Sequence, residues 1–231
     1  MESEKVTKGR SRWYDDACGT ALAMELVGER WSLLIARELM FGPRRFSELR
    51  AGLPGISANV LTQRLDGMQR ASILRRVQLP PPANVQVYEL TPWGYGAEEA
   101  IIALGRWAAQ SPDHNPMLFF SAASMMLSLR TLLDRVRARE IRMTVGFRFG
   151  RDSFVARLAD GELPIVRAPA EGDVVFDTDP RTMANTVYGK RPIADAEAAG
   201  TMVFHGNRDA AQAFIGLFHL PVKADRVPAA G

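Results

Sequence analysis

Residues 57–70 read SANVLTQRLDGMQR, and this stretch decides the fold of the N-terminal half. Apolar side chains recur in it at the spacing of one face of a helix: Val60, Leu61, Leu65 and Met68. Short hydrogen-bonding side chains occupy the other face: Asn59, Thr62, Gln63 and Asp66. Amide side chains can bond to adenine edges, so this face favours DNA contact. An ordinary solvated helix is the alternative interpretation.

The neighbouring segments complete a recognisable arrangement. A short helix is predicted over residues 45–50, and Ser57 is the expected N-cap of the helix over 58–70. Residues 75–79 and 85–90 have the composition of strands, and PPPAN at 80–84 forms a stiff turn between them. A helix-turn-helix followed by a hairpin is the winged-helix arrangement, whose second helix enters the major groove of DNA.

This arrangement selects the candidate DNA contacts. The candidates on the recognition helix are Ser57, Asn59, Thr62, Gln63 and Arg64. The candidates for backbone or wing contacts are Arg44, Arg45, Arg75, Arg76 and Asn84. A solvated charge pair is the alternative interpretation of Arg44 and Arg45.

Another helix is predicted after the hairpin, with Thr91 as its N-cap and Pro92 at its first position. One side of it carries Trp93, Ala97, Ile101, Leu104 and Ala108, with Trp107 beside them. Ile102 and Gly105 lie elsewhere on the helix, so it is expected to be apolar on more than one side. A second copy of the chain or the C-terminal half would each account for such a helix.

Residues 15–110 resemble the HxlR-type transcriptional regulators. The resemblance is carried by ALAMELVGERW at 21–31, GPRRFSEL at 42–49, GIS at 55–57 and PPANVQVYELTPWG at 81–94. It implies a winged-helix homodimer, joined through the first and last helices of the domain, on a pseudo-palindromic operator in double-stranded DNA. It also implies that the chain has no enzymatic activity.

Cys18 is the only cysteine, so an internal disulfide is excluded. It precedes the first long helix, where redox-responsive members of the resembled family carry a cysteine. A helix N-terminus would lower the pKa of the thiol, whereas Asp15 and Asp16 would raise it. Cys18 therefore has two interpretations: a thiol that forms an intersubunit disulfide or an adduct, or an inert and half-buried residue.

The C-terminal half has a different pattern of predicted secondary structure. Residues 1–12 are predicted to be a tail, 13–110 the winged-helix domain, 111–116 (SPDHNP) a linker, and 117–225 a second, α+β domain. Helices are predicted over 117–139, 180–188 and 208–220. Strands are predicted over 141–149, 153–158, 163–167, 174–176 and 201–205. The chain as a whole is therefore assigned to the α+β class.

The end of this half resembles sterol carrier protein-like domains, mainly in its hydrophobic spacing around Gly189 and Gly206. That resemblance implies a tunnel for an apolar ligand. The candidate lining residues are Met143, Val145, Phe147, Phe149, Phe214 and Phe218. A filled core without a cavity is the alternative, because sequence does not distinguish the two.

Composition excludes several classes of function. Hydrophobic residues make up 47% and charged residues 24% of the 231 residues, which excludes global disorder. The net charge is only +3, so DNA binding must rest on the local placement of charged side chains. The chain has no apolar run near the roughly 20 residues of a membrane span. It also lacks a signal-peptide core, so we expect a cytoplasmic protein without a membrane partner. The three histidines are scattered, and the sequence predicts no catalytic residues, metal site or cofactor.

The sequence thus predicts a homodimeric DNA-binding regulator that responds to an apolar small molecule. Two alternatives stay open. One is a lipid-carrier-like protein that uses the winged helix only as a dimerisation scaffold, and the other is a thiol-redox regulator that acts through Cys18.

Overall fold

A computed structural model describes residues 14–116 and 118–226. The predicted tail over residues 1–12 lies outside them. The N-terminal half contains α1 (Gly19–Val27), α2 (Ser32–Leu39), α3 (Phe46–Gly52), α4 (Ala58–Arg70), β1 (Leu74–Gln78), β2 (Gln86–Leu90), α5 (Pro92–Tyr95) and α6 (Glu98–Ala109). The predicted helix-turn-helix and hairpin are therefore confirmed.

Local capping explains why the elements start where they do. The Ser57 hydroxyl accepts a hydrogen bond from the Val60 N–H at 3.2 Å, so it caps α4. The Thr91 hydroxyl accepts from the Gly94 N–H at 3.0 Å and caps α5. Leu61 and Leu65 are fully buried, so the apolar face of α4 packs inward as its spacing predicts.

The helix after the hairpin is broken, whereas the sequence pattern predicted one continuous helix. It divides into α5 and α6 around Gly96. The Thr91 hydroxyl also donates to the Ser72 carbonyl at 2.7 Å, which ties α5 to the start of the hairpin. α5 ends at Tyr95, before Gly96, and glycine has a low helix propensity. A Cβ at Gly94 would lie 2.0 Å from the Ile73 carbonyl oxygen, so this close approach requires glycine there.

The C-terminal half is a five-stranded sheet with helices. It contains α7 (Ala122–Leu132), β3 (Met143–Phe149), β4 (Asp152–Leu158), β5 (Ile165–Arg167), β6 (Val174–Thr178), α8 (Pro180–Val187), α9 (Ile193–Ala198), β7 (Met202–Gly206) and α10 (Arg208–Ile215). The strand order is β5-β4-β3-β6-β7, in which β3 and β6 are parallel and the other pairs are antiparallel. This confirms the α+β class.

Two helix predictions in this half were wrong in extent. The helix predicted over 117–139 ends at Leu132, because Leu133 adopts an extended conformation and the Asp134 N–H donates to the Leu217 carbonyl at 2.8 Å. A tertiary contact thus ends the helix before its periodicity does. The helix predicted over 208–220 likewise ends early, at Ile215. The sequence analysis did not predict α9, because a helix of this length shows too few turns of periodicity to detect.

The two halves pack against each other through α7, which contacts α2, α6 and α8. Buried apolar side chains of both halves form one continuous cluster. The segment after α10 also crosses the predicted linker, where the Lys223 ammonium donates to the carbonyls of Ala109 and Ser111, each at 3.0 Å. The predicted boundaries at 110 and 117 remain a prediction, since the halves share a core.

An ion pair joins the halves on a second side. Arg44, which lies between α2 and α3, donates to both carboxylate oxygens of Asp152 at the start of β4, at 2.6 and 3.1 Å. Arg167 of β5 pairs with the same carboxylate. Burial alone would raise the pKa of Asp152, but the hydrogen bond and charge of Arg44, followed by those of Arg167, outweigh it and lower that pKa.

We expect Asp152→Asn to lower the free energy of unfolding by about 2 kcal/mol at pH 7, because two partly buried guanidinium groups lose their counter-charge. The folded-state pKa of Asp152 lies below its ordinary value of 3.8, so this stabilisation is present above that pH and is lost as pH falls through the lowered pKa. Urea denaturation of both proteins from pH 7 down to about pH 3 measures the difference, which should shrink below about pH 4.

Asp160→Asn provides the matched control. Asp160 pairs with Arg142, but both side chains are 70% exposed, so this change should alter stability by less than about 0.5 kcal/mol. Equal effects of the two substitutions would contradict the role given to Asp152.

Candidate nucleic-acid interface

The exposed face of α4 is the centre of the candidate interface. Asn59 and Gln63 are exposed and lie one helical turn apart. Their side-chain amides have no hydrogen-bond partner among the described residues. Thr62 is also exposed, and its hydroxyl donates back to the Ala58 carbonyl at 3.0 Å. This face therefore offers two free amides with the donor and acceptor pattern that suits base edges.

Arg64 has a structural contact instead of a free guanidinium. It pairs with the Glu29 carboxylate at 2.7 Å and donates to the Arg30 carbonyl at 3.1 Å. The side chain therefore ties α4 to the connection between α1 and α2. The sequence analysis placed Arg64 with the DNA-facing residues. Helical periodicity does not reveal an ion-pair partner that lies 35 positions earlier in the chain, as Glu29 does.

The hairpin formed by β1 and β2 is the wing. Arg75 is opposite Glu89 in the register and pairs with it at 2.8 Å, yet its side chain is 62% exposed. Arg76 lies with its guanidinium 5.4 Å from the centre of the Tyr88 ring and donates to the Tyr88 hydroxyl at 3.2 Å. Arg75 is thus the freer of the two predicted wing arginines.

The tip of the wing is held by polar side chains. Asn84 has a positive φ of 38° and accepts a hydrogen bond from the Gln78 amide at 3.1 Å. Asn tolerates this left-handed conformation better than most residues. Asn84 is exposed, so it shapes the tip and also remains accessible there.

Arg44 and Arg45 differ although they are neighbours. The Arg44 side chain is only 12% exposed and is committed to Asp152, so the prediction of a phosphate contact does not match its position. Arg45 is exposed, and its backbone N–H donates to the Glu48 carboxylate at 2.8 Å at the start of α3. The structure therefore leaves only Arg45 of this pair facing solvent.

One group near α4 was missed by the sequence analysis. Asp66, Gln69, Arg70 and Arg76 line a cleft of about 300 Å³ between the end of α4 and the wing. Arg76 approaches Asp66 at 3.7 Å, so it joins α4 to the wing. Gln69 and Arg70 are exposed. They follow Thr62 and Gln63 by about two helical turns, so the helical spacing alone would have placed them on the same face as those candidates.

A second surface lies between α1 and α6, and we call it the α1–α6 face. It contains a groove of about 650 Å³ lined only by apolar residues and glycine. Trp107 and Trp93 are 71% and 57% exposed on it. An exposed apolar surface of this kind is typical of a protein–protein interface.

Cys18 is exposed at the N-terminus of α1, so the prediction that it is half-buried was wrong. The N–H of Thr20, with further hydrogen bonds from the Thr20 side chain and the Ala21 N–H, lowers the pKa of the Cys18 thiol. The charges of Asp15 and Asp16 do not reverse that shift. The thiol is therefore exposed, and its lowered pKa favours the thiolate, which is the reactive form.

The six candidate ligand residues lie in or beside the sheet core. Phe147 stacks on Phe176 at 5.8 Å between ring centres and contacts Phe214 at 6.2 Å. Phe214 and Phe218 make an edge contact at 4.9 Å. Val145 and Phe149 are buried in the same sheet and Met143 is half-buried at its edge. Four cavities found among the described residues are lined by other side chains.

Two absences hold for the part of the chain that the structure describes. No cluster of three or more His, Cys, Asp or Glu side chains is placed to hold a metal ion. No helix there is long and apolar enough to span a membrane.

Comparison with known proteins assigns this arrangement to a family. The family model HxlR-like helix-turn-helix matches residues 26–116. The transcriptional regulator YodB of Bacillus subtilis is 35% identical over 88 residues, which cover 38% of this chain and 79% of YodB. The uncharacterized regulator YtfH of Escherichia coli is 34% identical over 95 residues, covering 41% of this chain and 75% of YtfH.

Solved structures match the same portion. The reduced form of YodB is 32% identical, with 42% of this chain and 97% of that chain covered and a TM-score of 0.38. The quinone-bound form of YodB is 32% identical, with 39% and 96% covered and a TM-score of 0.35.

The fold and the exposed face of α4 define a winged helix-turn-helix protein of the class that regulates transcription. The chain belongs to the HxlR-like helix-turn-helix family. It is a transcriptional regulator, and family membership makes DNA its partner. Its relatives are transcriptional regulators and not enzymes.

Proposed function

We propose that the chain binds a pseudo-palindromic operator as a homodimer, with α4 of each protomer in the major groove, and that an apolar small molecule modulates this binding. The free amides of Asn59 and Gln63 on α4 carry the proposal. Both are unpaired donors and acceptors on a helix that projects from a winged-helix scaffold, and such amides can bond bidentately to adenine.

The basic side chains around α4 supply phosphate contacts. Arg45, Arg70 and Arg75 are exposed at the start of α3, the end of α4 and the wing. Phosphate contacts position a protein on the duplex and make its affinity depend on salt, whereas base contacts give sequence preference. Arg45, Arg70 and Arg75 therefore fix the register in which Asn59 and Gln63 read the bases.

The α1–α6 face joins two copies of the chain. Its groove is lined by apolar residues alone, and the Trp107 side chain projects from it. Two identical copies of this surface can cover each other around a twofold axis, as a symmetric dimer requires. Such an axis would also relate the two α4 helices, and that arrangement matches an operator with two half-sites.

A modulating ligand must bind one dimer geometry more tightly than another to change DNA affinity. The C-terminal half is placed to transmit such a preference, because α7 packs on both α2 and α6. α2 leads into the helix-turn-helix and α6 carries part of the dimer face. A ligand that shifts α7 would therefore alter the spacing of the two recognition helices.

Cys18 supports a second candidate function, regulation by electrophiles. Its thiolate can add to a ring carbon of a quinone. One quinone oxygen then takes up a proton from solvent, and the hydrogen of the attacked carbon moves to the other oxygen, which gives a thioether of the hydroquinone. The exposure of Cys18 and its lowered pKa favour this addition. Cys18 lies at the start of α1, so an adduct there would change the surface next to the dimer face.

We expect Gln63→Ala to relax base preference at one position of each half-site, by about 1–3 kcal/mol, because the amide is the base-reading group. We expect Arg75→Ala to weaken binding to all sequences and to reduce the salt slope by about 1. Selection from a random duplex library identifies the operator, and fluorescence anisotropy at several salt concentrations measures both effects.

Arg142→Ala is the matched control for Arg75→Ala, since Arg142 is also an exposed arginine in an ion pair but lies in the C-terminal half. It should leave DNA affinity unchanged. Unaltered base preference in Gln63→Ala, with a normal fold, would contradict the docking of α4.

We expect Trp107→Glu to shift the chain from dimer to monomer, because it places a charge in the apolar centre of the α1–α6 face. Operator affinity should fall with it, since each monomer reads one half-site. Sedimentation velocity measures the assembly. Val136→Glu changes a side chain of almost equal exposure, 73% against 71%, away from this face and should remain dimeric. A dimeric Trp107→Glu protein would place the interface elsewhere.

We expect 1,4-benzoquinone to add once per chain and to change operator affinity in the unmodified sequence but not in Cys18→Ser. Serine keeps the size of the side chain and removes the nucleophile. Intact-protein mass spectrometry detects the adduct, and anisotropy detects the affinity change. An adduct without any change in affinity would show that Cys18 reacts but does not regulate.

A further inference from the structure

We propose that a neutral, mainly apolar small molecule with an oxygen function binds in the cavity between α2, α6 and α7. This junction cavity has a volume of about 520 Å³. Ligand pockets are commonly about 300–1,000 Å³, so the volume suits a small organic molecule. The inference rests on the proposed function, because it gives the modulating ligand a site and a chemical class.

Apolar side chains form most of the walls. Leu33 and Leu34 come from α2, Leu104 from α6, and Leu127 from α7. Each of these helices belongs to a contact between the halves, so the cavity lies at their junction. An apolar body placed here would bury its surface against all three helices, which is the favourable term for binding.

Two hydroxyl groups in the cavity provide a hydrogen-bond donor. The Ser128 Oγ lies 2.6 Å from the Tyr188 hydroxyl oxygen. The pair has two protons, and the bond between them uses only one. Neither hydroxyl has another partner among the described residues, so one O–H remains free. Burial raises the pKa of the Tyr188 phenol above its ordinary value, so the phenol stays neutral and keeps its proton.

Ser124, one turn before Ser128 on α7, provides an acceptor. The buried Glu38 carboxylate accepts the Ser121 proton at 2.7 Å. Ser121 therefore accepts the Ser124 hydroxyl proton across 2.8 Å. The lone pairs of Ser124 remain available. A donor and an acceptor thus lie about 6 Å apart along one wall of an otherwise apolar cavity.

The charges around the cavity favour a neutral ligand. Its lining residues include no Asp or Glu. Arg37 lines the cavity, but its guanidinium donates to the Glu38 carboxylate at 2.8 Å and is neutralised there. Burial and then the charge of Lys223 lower the pKa of His114, so this lining residue is neutral at pH 7. A charged ligand would lose its hydration, and no side chain that lines the cavity offers it an unpaired counter-charge.

The junction cavity differs from the groove of the α1–α6 face in one decisive respect. The lining of the α1–α6 groove is apolar throughout, which suits a helix from a second copy. The junction cavity contains one free O–H of the Ser128–Tyr188 pair and the free lone pairs of Ser124, which an apolar helix would leave unsatisfied. Its occupant is therefore a small molecule that can bond to them.

The cavity also has a physical connection to the DNA-binding surface. Leu33, Leu34 and Arg37 line it from α2, and α2 leads directly into α3 and α4. On α7, Ser121 bonds to Glu38 of α2 at 2.7 Å. A ligand that separates α2 from α7 would strain this bond and move the helix-turn-helix relative to the C-terminal half.

Prodan, a neutral naphthalene ketone with environment-sensitive emission, is the probe for the test. The full chain should bind one Prodan per chain with a blue-shifted emission. The double change Tyr188→Phe with Ser128→Ala should weaken binding about three- to tenfold, because it removes both hydroxyls of the donor pair, whereas either single change leaves one O–H that can donate. Ser128→Leu fills the cavity and should weaken binding more than tenfold.

Ala100→Leu is the matched control, since it adds the same side chain to the groove of the α1–α6 face. Prodan binding to this variant should equal that of the unmodified chain. Circular dichroism checks the fold of every variant, and if Ser128→Leu does not fold, the double variant of Tyr188→Phe with Ser128→Ala decides. Loss of binding in Ala100→Leu alone would overturn the inference, because Prodan would then occupy the place of a second copy.

Three further outcomes bear on this inference, and the last two separate it from the proposed function. An anionic naphthalene sulfonate that binds the cavity more tightly than Prodan overturns the neutral class of ligand. DNA affinity is measured on the same samples by anisotropy. DNA binding without saturable Prodan binding overturns the junction site and leaves the DNA-binding function standing. Prodan binding that follows the expected order of variants, without DNA binding, supports the site and overturns the proposed function.

Discussion

The buried carboxylate of Glu38 is the constraint on which the arrangement of the two halves depends. Its side chain is only 1% exposed, and an ionised carboxylate at such depth is costly unless it is paired and hydrogen-bonded. Arg37 and Ser121 supply those partners at 2.8 and 2.7 Å. A Cβ at Gly52 would lie 2.5 Å from the carboxylate, so the end of α3 must also stay free of a side chain there. One carboxylate therefore fixes α2, α3 and the N-cap of α7 together.

The ion pair of Arg44 with Asp152 fixes a second point on the same helix-turn-helix. Phe41 adds an apolar contact nearby, with its ring 5.6 Å from that of Phe154 in β4. The DNA-binding half is thus held at two places by a half that contributes no residue to the candidate interface. Rigid contacts of this kind let a small shift in the C-terminal half reach α4, since packed elements move as bodies.

Local signals allowed much of the winged half to be predicted from sequence. The Ser57 and Thr91 caps, the apolar period of α4 and the turn between β1 and β2 each act within a few residues. Because these signals are local, the sequence alone identifies Asn59 and Gln63 as exposed residues of α4. Helix spacing defines a face, and the residues on that face follow from it.

The sequence by itself determined the winged helix, the α+β class and the amides that face solvent on α4, because period, cap and turn chemistry are properties of neighbouring residues. Only the tertiary structure decided that Arg44 and Arg64 are held in ion pairs and that α7 ends at Leu132. It also decided that the junction cavity and the groove of the α1–α6 face lie outside the sheet core. Asp152 is 108 positions from Arg44, and a cavity exists only where separate helices meet. Such contacts depend on how distant surfaces fit, and no local pattern contains that information.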